Sequence, residues 1–404
     1  MKYAESITLV DTTLRDGEQS PGISFTAEEK VEIAKALSLI GVKEMEVGTP
    51  IMGGEEAEAV KAIVSLGLPA RILTWNRAVE KDIESSLSCG IKSLYVSCPV
   101  SDIHIEKKLG KTREWVKERF LRVIPGIKKE GCYIACGLED ASRAEPNFVL
   151  EVSYLLKELG VNRIRICDTV GILTPFKIFK FVRFLKEMVN IPLEIHTHND
   201  FGLASSNAVA GIKGGAEFAS VTVNGIGERA GNASLEETAM ILENLEGIKT
   251  GIAANRLKGI SNLVSMLSRR TVPFNKPIVG DMVFSHESDI HVDGVAKKPI
   301  CYEPFPPEKV GAKRHLLIGK HSGTSSIIHK FKTMGISLNK RMTLNLIPYI
   351  REAVKEKKRN LTDNELLALY NTVLCFETHD KMDVRLFKFG EHIPCICDIS
   401  RTFP

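Results

Sequence analysis

Eight short runs rich in β-branched and apolar residues, each followed by a helical stretch, restrict the folds open to this chain more than any other feature. The runs fall at residues 7–11, 44–48, 70–74, 93–97, 133–137, 163–168, 193–198 and 218–224. Helical patterns follow them at 26–40, 55–66, 79–89, 112–130, 147–159, 175–189, 204–214 and 235–245. The first helix carries its own start signal. Thr26-Ala27-Glu28-Glu29 fits a capping box, and Val31, Ile33, Ala34, Leu37 and Ile40 repeat on one face. Eight such units predict an α/β fold of the (β/α)8 TIM-barrel type. An open doubly wound sheet is the competitor, but its early glycine-rich phosphate-binding turn is missing.

The alternation stops near residue 250. Residues 257–270, 325–357 and 362–372 read as helices, and 271–311, rich in Pro, Gly and His, reads as loop with short strands. The expected division is a catalytic barrel over 1–250, a mainly helical extension with dimerisation subdomains over 251–372, and a short tail over 373–404. That tail, with its β-like run VRLFKF, is too short for a full regulatory domain. The total of 404 residues accommodates one barrel of roughly 250 residues and a second domain.

A net charge of +4, with both signs mixed along the chain, argues against a nucleic-acid partner. No apolar run approaches the ~18 residues of a membrane span, and no signal peptide is visible. The nine cysteines form no CxxC pair, which reads as reduced thiols in a cytoplasm. Cys132, Cys136 and Cys167 lie in apolar runs and read as small core residues. Cys395-Ile396-Cys397 is a weak metal-binding signal.

In a barrel of this kind the chemistry sits at the C-terminal strand ends. Polar residues collect there: Arg15 and Asp16 after strand one, Glu46 near the end of strand two, and Arg77 after strand three. Ser101 follows strand four, Glu139 and Arg143 strand five, and Asp168 and Thr169 end strand six. His196 and His198 end strand seven, two residues apart, so both imidazoles point the same way. Two imidazoles and a carboxylate suit a borderline divalent ion, and three protein ligands leave coordination positions open, as a catalytic metal requires. The bland alternatives are a pair of histidines on a polar strand edge and an Arg15 that forms a surface ion pair.

The stretch DTTLRDGEQSPGISFTAEEKVEIAKAL (11–37), HTHNDFGLA (196–204) and NGIGERAGNASLEE (224–237) resemble the three signatures of the 2-isopropylmalate and homocitrate synthase family. They occur in that family's order, and the resemblance spans roughly residues 5 to 370. It implies a metal-dependent acyltransferase on a TIM barrel with a helical C-terminal extension. It also implies a divalent metal (zinc, manganese or magnesium) held by Asp16, His196, His198 and Asn232, which binds a 2-oxo acid. Arg15 would stand beside the developing oxyanion, Glu46 beside the metal and Arg15, and Thr169, in CDTVG, against the oxo acid's carboxylate. The acetyl group of acetyl-CoA must lose a proton. Glu139 and His291 are the candidate bases. His291 and Tyr302 are implied to reach the barrel of a partner subunit, making a homodimer with shared active sites. GIGERAG imitates a dinucleotide fingerprint but follows the last strand. A CoA contact through Gly225 and Gly227 fits that position, since barrels often bind phosphate after strands seven and eight. GKHSG (319–323) reads as a helix start.

The identity of the oxo acid turns on the group beyond its keto carbon. A second carboxylate needs donors, because an unpaired buried charge is very costly. TWNRAV (74–79) and SCPVSDIH (97–104) supply Arg77, Ser101 and His104, although Arg77 is equally suited to pairing with a neighbouring acid. With EVGTPIMGGEEAEAV (46–60), these stretches most resemble the nitrogenase-cofactor type of homocitrate synthase, so nitrogen fixation and amino-acid biosynthesis are the expected settings. The lysine-pathway type usually has Glu where this chain has Asp16. The leading expectation is condensation of acetyl-CoA with 2-oxoglutarate; 2-isopropylmalate, citramalate or Re-type citrate synthesis is the alternative. A non-catalytic barrel that only senses or scaffolds would be expected to lack one of Arg15, Asp16, His196 or His198, and all four are present.

Overall fold

The structure, a computed structural model, describes residues 7–378. The tail run VRLFKF and the Cys395–Cys397 pair lie outside the described residues. The chain divides into two compact units. The first runs to Val283 and includes Glu308–Ala312; the second comprises Phe284–Pro307 and the chain from Lys313.

The first unit is a closed barrel of eight parallel strands in sequence order. These are β1 (Thr8–Asp11), β2 (Glu44–Glu46), β3 (Arg71–Arg77), β4 (Ser93–Pro99), β5 (Tyr133–Glu139), β6 (Arg163–Asp168), β7 (Leu193–Thr197) and β8 (Phe218–Val221). Closure comes from β8 pairing with β1, with Thr8 opposite Phe218 and Asp11 opposite Val221. Eight helices alternate with the strands: α1 (Ala27–Leu39), α2 (Gly54–Ser65), α3 (Glu80–Ser88), α4 (Arg113–Lys129), α5 (Pro146–Glu158), α6 (Pro175–Val189), α7 (Ala204–Gly214) and α8 (Leu235–Asn244). The expected capping box is present, with the Thr26 side chain accepting from Glu29 N and Glu29 accepting from Thr26 N. Helix α9 (Leu257–Ser268) completes this unit, its Leu257, Ile260 and Val264 buried. Among the described residues no helix is long and apolar enough to cross a membrane.

The interior of the barrel is charged, where branched apolar side chains usually fill such a core. Side chains two apart on a strand share a face, so Glu44 and Glu46 on β2, Arg163 and Arg165 on β6, and Glu194 on β7 project together. Arg165 Nε lies 2.8 Å from Glu194 Oε1, and Arg163 Nε lies 2.8 Å from Glu194 Oε2. Arg163 also pairs with Glu44, and Arg71 at the N-terminal end of β3 pairs with that same carboxylate. The Arg165 guanidinium carbon lies 3.7 Å from the centre of the Tyr95 ring. Gly137 makes room for this layer, since a Cβ there would fall 1.7 Å from the Tyr95 hydroxyl. Breaking one buried pair leaves an uncompensated charge and costs about 3–5 kcal/mol.

Among the described residues the second unit holds a two-stranded parallel pair, β9 (Ser285–His286) and β10 (His315–Leu316), and four α-helices. Helix α10 (Asp289–Lys297) corrects the reading of 271–311 as loop with short strands alone. The segment read as one helix over 325–357 is two, α11 (Thr324–Thr333) and α12 (Lys340–Lys357). Gly335, at φ 79°, ends the first, and Asn339 caps the second by accepting from Met342 N at 2.8 Å. Helix α13 (Asp363–Thr378) follows. GKHSG precedes α11, where Asp289 accepts from the backbone of Gly323 and Ser326. Ile318, Ile327, Phe331, Leu346, Ile350 and Leu366 centre this unit's core.

Candidate active site

The turn after β1 and the end of β7 bring Asp16, His196 and His198 together at the C-terminal mouth of the barrel. Asp16 Oδ2 lies 3.1 Å from His196 Nε2, which lies 3.2 Å from His198 Nε2. All three residues are buried, and one ligand atom from each falls within 4.8 Å of the others. Asn232 joins them through the backbone, as His198 and Asn232 form an antiparallel bridge. Asp16 Oδ1 and Asn232 Oδ1 are buried acceptors with no protein donor. Buried acceptors beside two imidazoles fit a cation with nitrogen and oxygen ligands. Burial, followed by the neighbouring His196, pushes His198 down to about 4, so the ring carries the free lone pair that metal ligation needs. Burial works to raise the Asp16 carboxyl, but Arg15 and the hydrogen bond from His196 outweigh it and hold it well below the usual carboxylate range.

Arg15 sits beside this cluster with its side chain only 9% exposed. Its Nη1 is 3.3 Å from Asp16 Oδ2, and its Nε donates to Glu46 Oε1. Glu46 Oε2 faces Arg165 Nη2 at 2.8 Å. A cleft of about 450 Å³ opens on Arg15, lined also by Glu18, Phe25, Lys30, Met52 and Glu56.

A second cluster occupies the ends of β4, β5 and β6. His104 Nδ1 lies 3.0 Å from Glu139 Oε1, Lys108 donates to that oxygen at 2.8 Å, and Ser101 donates to Asp140 Oδ2 at 2.5 Å. Arg143 Nη2 is 3.3 Å from His104 Nε2. Thr169 Oγ1 accepts from Asp140 N at 2.8 Å. Arg229 ties this rim to the β7 loop, donating to Thr169 O at 2.7 Å and to both oxygens of Asp200 at 2.7 and 2.8 Å.

Of the residues singled out from sequence, Arg15, Asp16, Glu46, His196, His198 and Asn232 therefore meet, and Ser101, His104, Glu139 and Thr169 form a second group. Arg77 stands apart. It makes a two-pronged pair with Asp82 at 2.9 Å on each arm, its side chain 59% exposed, which matches the ion-pair alternative. Gly225 and Gly227 shape the loop around Asn232: Gly225 O accepts from Asn232 N at 3.0 Å, and a Cβ on Gly227 would fall 2.0 Å from Asn232 Nδ2. His291 and Tyr302 lie in the second unit, both exposed, with ring centres 4.4 Å apart. The sequence reading missed Arg165, Glu194 and Tyr95. For Arg165 and Glu194 the signal was charge alternating with apolar residues in RIRICD and LEIH; Tyr95 carried none. Cys132, Cys136 and Cys167 are buried as expected, and burial pushes the Cys167 thiol up to about 12.

A closed (β/α)8 barrel with a carboxylate and two imidazoles at its mouth defines the class, and the comparisons agree. The HMGL-like profile matches residues 6–264, and the profile described as homocitrate synthase post-HMGL domain-like matches 278–358. The chain belongs to the HMGL-like family, in its branch of 2-isopropylmalate and homocitrate synthases. It is 49% identical to 2-isopropylmalate synthase 2 of Caldanaerobacter subterraneus subsp. tengcongensis, over 92% of this chain and 97% of that one. It is 47% identical to homocitrate synthase 1 of Nostoc sp., over 90% of this chain and 96% of that one. The HMG-CoA lyase structure from Bacillus subtilis superposes with a TM-score of 0.62 at 20% identity, covering 68% of this chain and 97% of that one, a likeness of fold. The protein is thus an acyltransferase of the type that joins the acetyl group of acetyl-CoA to a 2-oxo acid, in a family that depends on a divalent metal.

Proposed function

We propose that the protein is a homocitrate synthase, condensing acetyl-CoA with 2-oxoglutarate and water to give homocitrate and CoA. The observation that carries this reading is the polar group on the β4 and β5 loops, where Ser101, His104 and Arg143 meet. Ser101 and Arg143 already pair with Asp140, and His104 with Glu139; a second carboxylate could share these polar groups, whereas a branched aliphatic oxo acid would gain nothing from them.

Asp16, His196, His198 and Asn232 are the residues that would hold the divalent ion, zinc, manganese or magnesium. When bound, that ion supplies a Lewis acid for the keto group. Arg15, fixed by Glu46, places a permanent cation where negative charge grows as the new carbon–carbon bond forms. Thr169 orients the oxo acid's carboxylate. A base takes the methyl proton of the acetyl group. Glu139, which His104 and Lys108 hold in place, is one candidate, and His291, supported by Tyr302, is the other. In a homodimer the latter pair serves the partner's barrel. The cleft beside Arg15 offers the thioester a way in. Water then cleaves the thioester and releases CoA.

The 49% identity to a 2-isopropylmalate synthase favours a second reading, in which the oxo acid is 3-methyl-2-oxobutanoate. Citramalate or citrate synthesis would use the same machinery. Release of free thiol, measured with each oxo acid in turn, separates them: the proposal expects 2-oxoglutarate to give the highest kcat/KM.

A further inference from the structure

We propose that Arg165, in the middle of β6, is a positioning residue for the Arg15 guanidinium and acts through Glu46. This rests on the reading of Arg15 given above. Glu46 is shared between two arginines: Oε1 takes Arg15 Nε, and Oε2 faces Arg165 Nη2 at 2.8 Å. The side chains of Glu46 and Arg165 are 0% and 1% exposed, so water does not stand in for either partner. Arg165 is fixed in turn by Glu194 at 2.8 Å, by the Tyr95 ring at 3.7 Å, and by the space that Gly137 leaves for that ring.

The charge balance explains why a second arginine is needed. Arg15 faces two carboxylates, Asp16 and Glu46. With Glu46 bound to Arg15 alone, one guanidinium would answer two negative charges, and one buried carboxylate oxygen would lack a cation. Arg165 takes half of Glu46. Arg15 is then held along its Nε edge by Glu46, while its Nη1 reaches Asp16 and Gln19 at 3.3 Å each. A buried carboxylate gripped from both sides also has one rotamer, and it transmits that fixed geometry to Arg15.

The test compares wild type with Arg165→Lys, which keeps the buried charge but loses the fork that reaches Glu46 and Glu194 together. A second variant, Arg165→Met with Glu194→Gln, removes one buried charge of each sign and so guards against a folding failure. Each is assayed for kcat, for KM of both substrates, for metal affinity by titration of the metal-free protein, and for thermal midpoint. The expected result is a folded protein whose kcat falls between about tenfold and a hundredfold. Both KM values and the metal affinity are expected to stay within about threefold. In Arg15→Ala/Arg165→Lys the second change is expected to add less than about twofold to the loss from Arg15→Ala, because Arg165 works through Arg15. A kcat within about threefold of wild type, equal losses in kcat, KM and metal affinity, or additive losses in the double variant would overturn the proposal. So would failure of both Arg165 variants to fold, which would assign Arg165 to the barrel core alone. If Arg15→Ala itself leaves kcat intact, the reading of Arg15 fails. If Arg15→Ala lowers kcat and the Arg165 variants do not, only the role of Arg165 fails.

Discussion

The Nε2 atoms of His196 and His198 lie 3.2 Å apart, with the two rings edge to face at 84°. Strand geometry accounts for the shared direction, because residues two apart on β7 project from one face. The spacing brings the two Nε2 atoms to one point beside Asp16 Oδ2. Two imidazole nitrogens held that close beside a carboxylate fit a divalent cation as shared ligands.

Metal removal is the first check. Exhaustive dialysis against a chelator is expected to abolish CoA release, and zinc, manganese or magnesium added back is expected to restore it. Full activity in protein verified as metal-free by elemental analysis would contradict the metal site.

Arg15→Ala is expected to lower kcat by about 10²–10³, the range for loss of one oxyanion-stabilising donor. KM for the oxo acid should change little, because the contact strengthens as charge develops. Steady-state kinetics decides the matter. A rise in KM at constant kcat would make Arg15 a substrate-binding group only.

Gly227→Ala probes the loop after β8. Gly227 has φ 153°, and a Cβ there would fall 2.0 Å from Asn232 Nδ2, so the amide must move. Metal affinity is expected to weaken by roughly tenfold or more, as when a ligand's supporting contact is lost. Isothermal titration of the metal-free protein measures it. Unchanged metal affinity with a raised KM for acetyl-CoA would assign Gly227 to CoA binding instead.

Asp11 gives a pH prediction. Burial, opposed by hydrogen bonds from Thr13 and reinforced by Glu236, raises its carboxyl to about 7. An unfolded Asp ionises near 3.8, so between about pH 4 and 7 the unfolded chain gives up a proton that the folded one retains. Stability from this group is therefore complete below about pH 4 and declines towards pH 7, at up to about 1.4 kcal/mol per pH unit. Urea midpoints across this window should fall more steeply for wild type than for Asp11→Asn. Parallel slopes would contradict the assignment.

Much of this was legible in the sequence because local rules agreed with the fold. All eight strands fall where β-type runs were read, and α6 and α7 match their expected limits of 175–189 and 204–214. The shared direction of His196 and His198 was legible because i and i+2 on a strand imply direction. The ionic interior was not. Period-two alternation in RIRICD shows that Arg163 and Arg165 share a face, but both faces of a barrel strand are buried, so the pattern leaves open which face is the inside. Helix α10 was hidden by Gly294 and the β-branched Ile290, Val292 and Val295, which lower helix propensity over only nine residues. The break before α12 depends on one left-handed residue, Gly335, inside a run whose apolar spacing continues across it.

A homocitrate synthase joins acetyl-CoA to an oxo acid that carries a second carboxylate. The most direct measurement is kcat/KM for thiol release with 2-oxoglutarate, 3-methyl-2-oxobutanoate and pyruvate under one set of conditions. 2-Oxoglutarate is expected to lead by at least about tenfold, the effect of about 1.4 kcal/mol from polar contacts to its distal carboxylate that the other two oxo acids cannot make. A clear lead for 3-methyl-2-oxobutanoate or pyruvate would contradict it.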